Sequence, residues 1–248
     1  MSCCIDLRGR TALVTGAGRR LGRAFAEALA AHGAHVAVHF GSSEAEALEV
    51  VETARRAGVQ AAALGADLAD AEQVEALIGR AAVALGPVSL LVNSASLFEP
   101  LGALETGRAD WERHLAVNLT APFLLSREFA RRLGGAPGAI VNLLDWRALR
   151  PGADHFPYTI SKAGLAALTH SLAAALAPAI RVNGLALGAI LPPSHGGGGA
   201  GGPDPAAEAP LGRWGTAEEV CHALLFLLGG PDFITGTVLH VDGGRHLV

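Results

Sequence analysis

The sequence predicts one α/β domain, with helices on both faces of a parallel, doubly wound, seven-stranded sheet. Three observations carry this prediction. Short apolar runs alternate with longer amphipathic stretches along the whole chain, as in a series of βα units. The first apolar run leads directly into a glycine-rich turn and a helix. A chain of 248 residues with 50% hydrophobic and 17% charged residues can bury one large core, so we expect a single domain over 1–248.

The pattern places each element in order along the chain. Strands are expected near 11–15, 35–40, 59–66, 88–93, 138–144, 180–186 and 237–241. Helices are expected near 20–32, 43–57, 71–85, 110–133, 157–177 and 216–228. The one low-complexity segment, 192–210, follows the sixth strand. Ligands bind at the carboxyl ends of such strands, so we expect this segment to be a mobile loop over the substrate.

Composition excludes several classes of function. The net charge of −4 gives no reason to expect a nucleic-acid partner. Cys3, Cys4 and Cys221 form no metal-binding pattern, so no metal site is expected. Three cysteines without a pairing pattern and no secretory signal at the start of the chain favour a cytoplasmic location.

The stretch between Lys162 and Arg181 holds no charged residue. Its length alone would fit a membrane span, but it is rich in alanine and contains Thr169, His170 and Ser171. We therefore expect no membrane partner and a helix that is buried between subunits.

The turn after the first apolar run is typical of a nucleotide-binding site. Gly16, Gly18 and Gly22 permit a tight turn and close approach of the backbone to a pyrophosphate. The helix that starts near Leu21 would direct its amino terminus at that anion. The spacing differs from the common G-x-G-x-x-G pattern, and an ordinary βα turn is the alternative.

A second cluster has the composition of a proton-transfer site. Tyr158 and Lys162 are four residues apart, so they share one face of a helix. A cation beside a phenol favours its ionised form, so we expect Lys162 to lower the Tyr158 pKa. Asp145 lies at the end of an apolar run thirteen residues before Tyr158.

Together these motifs resemble the short-chain dehydrogenase/reductase family along nearly the whole chain. The resembling residues are Thr15-Gly16 with Gly22, Asp67-Leu68, Asn93-Ser94-Ala95, Asn118, Tyr158 with Lys162, Arg181-Val182-Asn183 and Val241-Asp242-Gly243-Gly244. The resemblance implies a Rossmann-like fold and a homotetramer. It makes Asn118, with Tyr158, Lys162 and Asp145, part of the catalytic set, and has Asn118 hold a water beside Lys162. It implies cofactor contacts at the turn and at Asp67, Leu68, Asn93, Ala95, Tyr158, Lys162, Gly188 and Ile190.

More narrowly, the chain resembles pteridine reductases and dihydromonapterin reductases. Arg20 replaces the middle glycine of the turn, and Asp145 stands where most relatives carry a catalytic serine. The stretch "NSASLF" resembles the segment that carries a serine and a stacking phenylalanine, which here are Ser96 and Phe98. The ending "DGGRHL" is similar to that of dihydromonapterin reductases. Arg245 and His246 in that ending are candidates for contacts with a neighbour's substrate.

The second strand predicts the cofactor. It ends at His39 and leads to Ser42 and Ser43, with no carboxylate to accept from a ribose hydroxyl. Arg19 and Arg20 lie in the facing turn, and a 2′-phosphate requires cations and donors. These five residues therefore favour NADPH over NADH, although a solvated Arg19 is the alternative.

The expected activity is NADPH-dependent reduction of a dihydropterin, such as dihydrobiopterin or dihydromonapterin, by hydride transfer. In this interpretation Ser96, Phe98, Asp145 and Tyr158 contact the substrate. A carbonyl reductase of ketones or 3-oxoacyl thioesters is one alternative, and a silent NADPH-binding sensor is another. The sequence does not decide whether Phe98 packs in the core, whether Trp146 lines the pocket, or whether folates are reduced.

Overall fold

The fold is a parallel sheet of seven strands with helices on both faces, in a computed structural model that describes residues 5–191 and 207–248. The strand order is β3-β2-β1-β4-β5-β6-β7, and every neighbouring pair is parallel. The order reverses between β1 and β4, which is the position where doubly wound sheets bind nucleotides. The predicted fold class and sheet are confirmed.

The strands are β1 Thr11–Val14, β2 His35–Phe40, β3 Ala61–Gly65, β4 Val88–Asn93, β5 Gly138–Asp145, β6 Ile180–Leu187 and β7 Val238–Val241. The helices are α1 Arg20–Ala31, α2 Glu44–Arg56, α3 Ala71–Leu85, α4 Arg108–Leu115, α5 Ala121–Leu133, α6 Phe156–Leu176 and α7 Ala217–Gly229. Two short 3-10 helices at Trp146–Ala148 and Arg245–Leu247 were not predicted.

The sheet separates two apolar cores. On one face α1, α2 and α7 pack residues such as Phe25, Val50 and Leu224 against the strands. On the other face α3, α5 and α6 contribute residues such as Leu77 and Phe129. Burial of the sheet on both faces explains why its strands read as continuous apolar runs.

The predicted helix at 110–133 is interrupted. It consists of α4, a π-helical turn at Ala116–Thr120 and α5. Asn118 lies in the π-helical turn, and asparagine is a poor helix former. The helix is therefore irregular at a position that the predicted catalytic set includes.

Part of the predicted mobile loop, residues 192–206, lies outside the described residues, as do Cys3 and Cys4. Of the described residues in that segment, Ala209 is buried. Cys221 is buried and unpaired. Within 5–191 and 207–248, no helix is long and apolar enough to cross a membrane. The same ranges contain no group of three or more His, Cys, Asp or Glu side chains that could hold a metal ion.

Candidate active site

The predicted site residues follow the carboxyl ends of six neighbouring strands. The glycine turn follows β1, Ser42 and Ser43 follow β2, and Asp67 follows β3. Ser96 and Phe98 follow β4, Asp145 ends β5, and Gly188 and Ile190 follow β6. Since all strands are parallel, these segments share one edge of the sheet.

The glycine turn is packed too closely for side chains. Gly16 has a φ of 64°, and a Cβ there would lie 3.0 Å from Cα of Ala95. A Cβ on Gly18 would lie 2.6 Å from Oγ of Ser43, and one on Gly22 would overlap the carbonyl oxygen of Gly16. The backbone itself therefore forms the surface that a phosphate can approach.

Thr15 connects this turn to the loop after β4. Its hydroxyl oxygen accepts hydrogen bonds from the N–H groups of Ser94 at 2.9 Å and Ala95 at 3.0 Å. Arg20 has a φ of 53°, a left-handed conformation that favours glycine, and its guanidinium donates to the carbonyl oxygen of Leu191. The arginine at the usual glycine position thus keeps the backbone conformation of a glycine.

The predicted phosphate contacts are only partly arranged for that role. Arg19 is exposed, but its Nε donates to Oε1 of Glu46 at 2.8 Å. Ser42 is exposed and Ser43 is half-buried beside Gly18. Arg19 must exchange its carboxylate partner for a phosphate to act as predicted. An exposed pair of this kind is weak, so the exchange costs little.

His39 does not point toward a cofactor. Its side chain is buried, accepts from the Gly16 N–H at Nδ1 and lies 3.1 Å at Nε2 from the carbonyl oxygen of Ala66. A direct contact between its ring and a bound nucleotide is therefore a wrong expectation. The ring lies beneath the turn because β2 is situated between β1 and β3.

The residues predicted for the adenine side differ in exposure. Asp67 is exposed and its carboxylate accepts from Ala69 N–H, while Leu68 beside it is buried. Asp70 caps α3 by accepting from the N–H groups of Glu72 and Gln73. Asn93 is buried at the end of β4, where its amide donates to Asn142.

At the other end of this edge, Gly188 lies against Asp242, and a Cβ at Gly188 would be 2.7 Å from the Asp242 Cα. Ile190 is buried. These two positions can border a cofactor with backbone and apolar surface.

Asp145 and Tyr158 are in direct contact. The Tyr158 hydroxyl donates to Oδ2 of Asp145 at 2.9 Å, and the Arg147 N–H donates to Oδ1 at 2.8 Å. The Arg147 guanidinium lies 3.5 Å from the same carboxylate. Asp145 thus ends β5, caps the following 3-10 turn and accepts a hydrogen bond from the Tyr158 hydroxyl. Arg147 was missed by the sequence analysis, since only its position two residues after Asp145 marks it.

Lys162 lies one helical turn after Tyr158 and is buried. Its Nζ donates to the carbonyl oxygen of Leu143 at 2.7 Å and lies 5.7 Å from the centre of the Tyr158 ring. Burial lowers the pKa of Lys162 to about 8, against the opposing attraction of Asp145. The ammonium is therefore positioned at the site at a considerable cost in solvation.

The pKa of Tyr158 shifts in the direction opposite to the prediction. Burial, and then the charge of Asp145, raise the pKa of this phenol well above its ordinary value. The expected lowering by Lys162 is wrong because burial of the phenol, and then the carboxylate that accepts its hydrogen bond, both favour the protonated form. Tyr158 is consequently a protonated donor at neutral pH.

Asn118 holds the loop after β4. Its Oδ1 accepts from the Leu97 N–H at 2.8 Å and the Ser96 hydroxyl at 3.2 Å. Its amide donates to the carbonyl oxygen of Leu97 and to the Ser161 hydroxyl. The π-helical turn thereby fixes the segment that carries Ser96 beside α6. The water-holding role of Asn118 stays a prediction.

Phe98 lies at the surface beside Tyr158 and not in the core. Its ring is 52% exposed and meets the Tyr158 ring edge-on, with 4.7 Å between the centres. The His155 imidazole stacks on it at 4.0 Å. His155 has a φ of 49° and precedes α6, and no signal in the sequence identified it. A flat, partly open aromatic surface therefore borders the Tyr158 hydroxyl.

Trp146 is enclosed by two guanidinium groups. The Arg147 and Arg245 carbons each lie 4.7 Å from the centre of its ring. Arg245 also pairs with Glu208 of the same chain, and His246 Nδ1 donates to Oδ2 of Asp242 at 2.7 Å. The predicted contacts of Arg245 and His246 with a neighbour's site stay predictions.

The chain is similar to known proteins over nearly its whole length. The family model described as Enoyl-(Acyl carrier protein) reductase matches residues 16–246. The 3-oxoacyl-(acyl-carrier-protein) reductase FabG of Aquifex aeolicus is 34% identical over 97% of this chain and 98% of that protein.

Two solved structures are similar to this chain at about the same sequence identity as FabG. FolM Alternative dihydrofolate reductase 1 from Brucella canis, complexed with NADP, is 35% identical and has a TM-score of 0.88, over 98% of this chain and 96% of that one. A short chain dehydrogenase from Burkholderia cenocepacia J2315, in complex with NADP, is 34% identical with a TM-score of 0.91, over 97% and 99%.

The nucleotide-type turn and the Asp145–Tyr158–Lys162 cluster define a cofactor-dependent dehydrogenase or reductase. The chain belongs to the short-chain dehydrogenase/reductase family.

Proposed function

We propose that this protein is an NADPH-dependent reductase of dihydropterins such as dihydrobiopterin or dihydromonapterin, with dihydrofolate as a further substrate to be tested. The observation that carries the proposal is the carboxylate of Asp145, 2.9 Å from the Tyr158 hydroxyl. A ketone develops negative charge on its oxygen during reduction, and an adjacent carboxylate would oppose it. A pterin instead presents amino and ring N–H groups, for which a carboxylate is the matching acceptor.

The cofactor is NADP(H), which is present in both solved structures described above. The closely packed glycine turn fits its pyrophosphate, and Arg19, Arg20, Ser42 and Ser43 would hold its 2′-phosphate. Asp67 and Leu68 would border the adenine, with Lys162 on the ribose beside Tyr158. NADPH supplies the hydride.

The protein's own contribution is to orient the substrate and supply a proton. The exposed face of Phe98 offers a stacking surface for a flat ring beside Tyr158. Asp145 would accept from the amino groups of that ring, and Ser96, which is exposed, would add a hydrogen bond. Tyr158 keeps its proton because its pKa is raised, so it can donate to a ring nitrogen.

A carbonyl reductase is the second candidate, and one observation favours it. The Arg147 guanidinium, 3.5 Å from Asp145, offsets part of the carboxylate charge that would repel a developing alkoxide. The similarity to FabG is as extensive as the similarity to FolM.

Oxidation of NADPH in the presence of different substrates decides between the two. The panel contains dihydrobiopterin, dihydromonapterin and dihydrofolate on one side, and activated ketones with a 3-oxoacyl thioester on the other. We expect kcat/KM for at least one dihydropterin to exceed every ketone value by about tenfold or more, equivalent to about 1.4 kcal/mol. A higher value for a ketone would establish the carbonyl reductase instead.

We also propose a cytoplasmic homotetramer. The open face of α6 carries no charge and presents Ile160, Ala167, Ser171 and Ala174, while Phe226 of α7 is 42% exposed. Such faces are stabilised by a second copy of the chain. Light scattering at micromolar concentration should give four chains, and a monomer would contradict this assembly.

A further inference from the structure

His39 on β2 connects the glycine turn after β1 with the segment after β3, although its ring does not face the surface where a nucleotide would bind. Its ring is 2% exposed and lies between the turn after β1 and the end of β3. Nδ1 is 3.1 Å from the Gly16 nitrogen, and Nε2 is 3.1 Å from the carbonyl oxygen of Ala66. The carbonyl oxygen of His39 accepts from the Ala17 N–H at 2.8 Å. His39 thus accepts hydrogen bonds from two consecutive N–H groups of the turn, those of Gly16 and Ala17.

These partners permit only one form of the ring. A backbone N–H can only donate, so Nδ1 must be the acceptor, and the proton must be on Nε2, which donates to Ala66. Burial, helped by the nearby charge of Arg80, lowers the pKa of His39 to about 4, against the opposing effect of the hydrogen bond to Ala66. The Arg80 guanidinium donates to the Gly65 carbonyl oxygen. The ring is therefore neutral at pH 7.

The Gly16 N–H donates to Nδ1 of His39, whereas Ala95 at Gly16 and Ser43 at Gly18 lie against the turn by close packing. Gly16 has a left-handed φ of 64°. Without Nδ1, the part-buried Gly16 N–H would lose its acceptor, and the turn would relax to find another partner. A change of this kind moves the surface on which a pyrophosphate rests.

We propose that His39 is a positioning residue for NADP(H). Its Nδ1 fixes the position of the glycine turn, and its Nε2 fixes the position of Ala66, which precedes Asp67. The ring does this without touching the cofactor. The inference rests on nucleotide binding at this edge, and it is independent of whether the substrate is a pterin or a ketone.

Two substitutions separate the two ring nitrogens. His39→Asn keeps an acceptor at the same number of bonds from the backbone as Nδ1 and loses the bond to Ala66. His39→Gln carries its amide one bond further, where it can donate to Ala66, and leaves Gly16 without an acceptor. His35→Gln is the matched control, since His35 begins the same strand and its Nδ1 also accepts a backbone N–H, from Gln60 at 3.1 Å.

The experiment measures NADP+ dissociation constants by calorimetry, with KM for NADPH and kcat at saturating NADPH. We expect His39→Gln to raise both Kd and KM by about tenfold, with kcat within about threefold of wild type, because only ground-state cofactor binding is lost. His39→Asn should rescue both values to within about threefold of wild type, and His35→Gln should change neither.

Equal affinities for the Asn and Gln variants of His39 would overturn the proposal. So would a His39→Gln protein that fails to fold beside a folded His39→Asn, because the ring would then serve the fold and not the cofactor. The NADP+ dissociation constants need no substrate, and KM for NADPH and kcat are measured with whichever substrate the wild type reduces, so a failure of the pterin assignment leaves the test intact.

Discussion

The nucleotide half and the substrate half of this edge are built in different ways. At the turn after β1, backbone contacts leave no room for side chains at Gly16, Gly18 and Gly22. Around Tyr158, by contrast, side chains on loops form the surface, and Phe98 is half exposed. Backbone geometry restricts what can bind, whereas exposed side chains can change without disturbing the fold. Relatives of similar identity carry the names of a 3-oxoacyl-(acyl-carrier-protein) reductase and an alternative dihydrofolate reductase.

The largest effect is expected from Tyr158→Phe. The ring keeps its burial and its contact with Phe98, and only the hydroxyl bonded to Asp145 is lost. Because proton donation is lost, kcat should fall by about two orders of magnitude or more, while NADP+ affinity stays unchanged. Steady-state rates and NADP+ titration check both. Turnover within a few-fold of wild type would mean that Tyr158 is not the donor.

The nucleotide half is tested by Gly16→Ala, with Gly58→Ala as its control. Both glycines have positive φ, but a Cβ at Gly58 meets nothing within 4 Å, whereas one at Gly16 meets Ala95. Each variant should lose about 1 kcal/mol of stability through backbone strain. Only Gly16→Ala should weaken NADP+ binding, by about thirtyfold, because its methyl group pushes the turn away from Ala95. The displaced turn should cost about 2 kcal/mol of binding free energy. Equal NADP+ affinities of the two variants would contradict a rigid turn.

The substrate half is tested by Phe98→Ala. Its ring is 52% exposed, so the fold should be unaffected, and KM for the dihydropterin should rise about tenfold through lost stacking. Affinity for NADP+ should not change. Phe123→Ala is the control, because Phe123 on α5 is 40% exposed and contacts Arg127 instead of the site. An unchanged KM in Phe98→Ala would remove Phe98 from the substrate surface.

The smallest effect concerns stability and pH at Lys162. The folded protein holds this lysine at a pKa of about 8, against an ordinary 10.5. The unfolded chain therefore binds more protons between pH 8 and 10.5, and wild-type stability should rise with pH across that window. Burial of the charged lysine costs on the order of 3 kcal/mol of folding stability at pH 7. A substitution that removes the lysine also loses its hydrogen bond to Leu143, which offsets part of that gain in stability. Lys162→Met should be about 1 kcal/mol more stable at pH 7 in urea unfolding, with a shrinking advantage at higher pH. A variant less stable than wild type at pH 7 would contradict this.

The sequence predicts the nucleotide half well because glycine spacing and strand order determine it. The turn and the seven strands agree with expectation, whereas the predicted helix at 110–133 is interrupted at Asn118. Prediction failed for His39, whose side chain faces beneath the turn, because strand alternation alone did not reveal its partners.

The substrate half was less predictable because its contacts join residues that are distant in the chain. The stacking of His155 on Phe98 and the enclosure of Trp146 by Arg147 and Arg245 have no periodic signal. The direction of the Tyr158 pKa shift was predicted wrongly, since helical spacing indicated Lys162 as a neighbour but revealed neither the burial of the phenol nor its hydrogen bond to Asp145.

The most direct test of the pterin assignment compares wild type with Asp145→Ser on one dihydropterin and one activated ketone. A serine replaces the carboxylate with a neutral donor at the position of a developing oxyanion. We predict that kcat/KM for the dihydropterin falls by about tenfold or more while that for the ketone rises, with NADP+ affinity unchanged. Asp145→Asn, which keeps the shape and removes the charge, should also lose dihydropterin activity. A wild type that ignores the dihydropterin, and an Asp145→Ser variant that only improves an already efficient ketone reduction, would contradict the assignment.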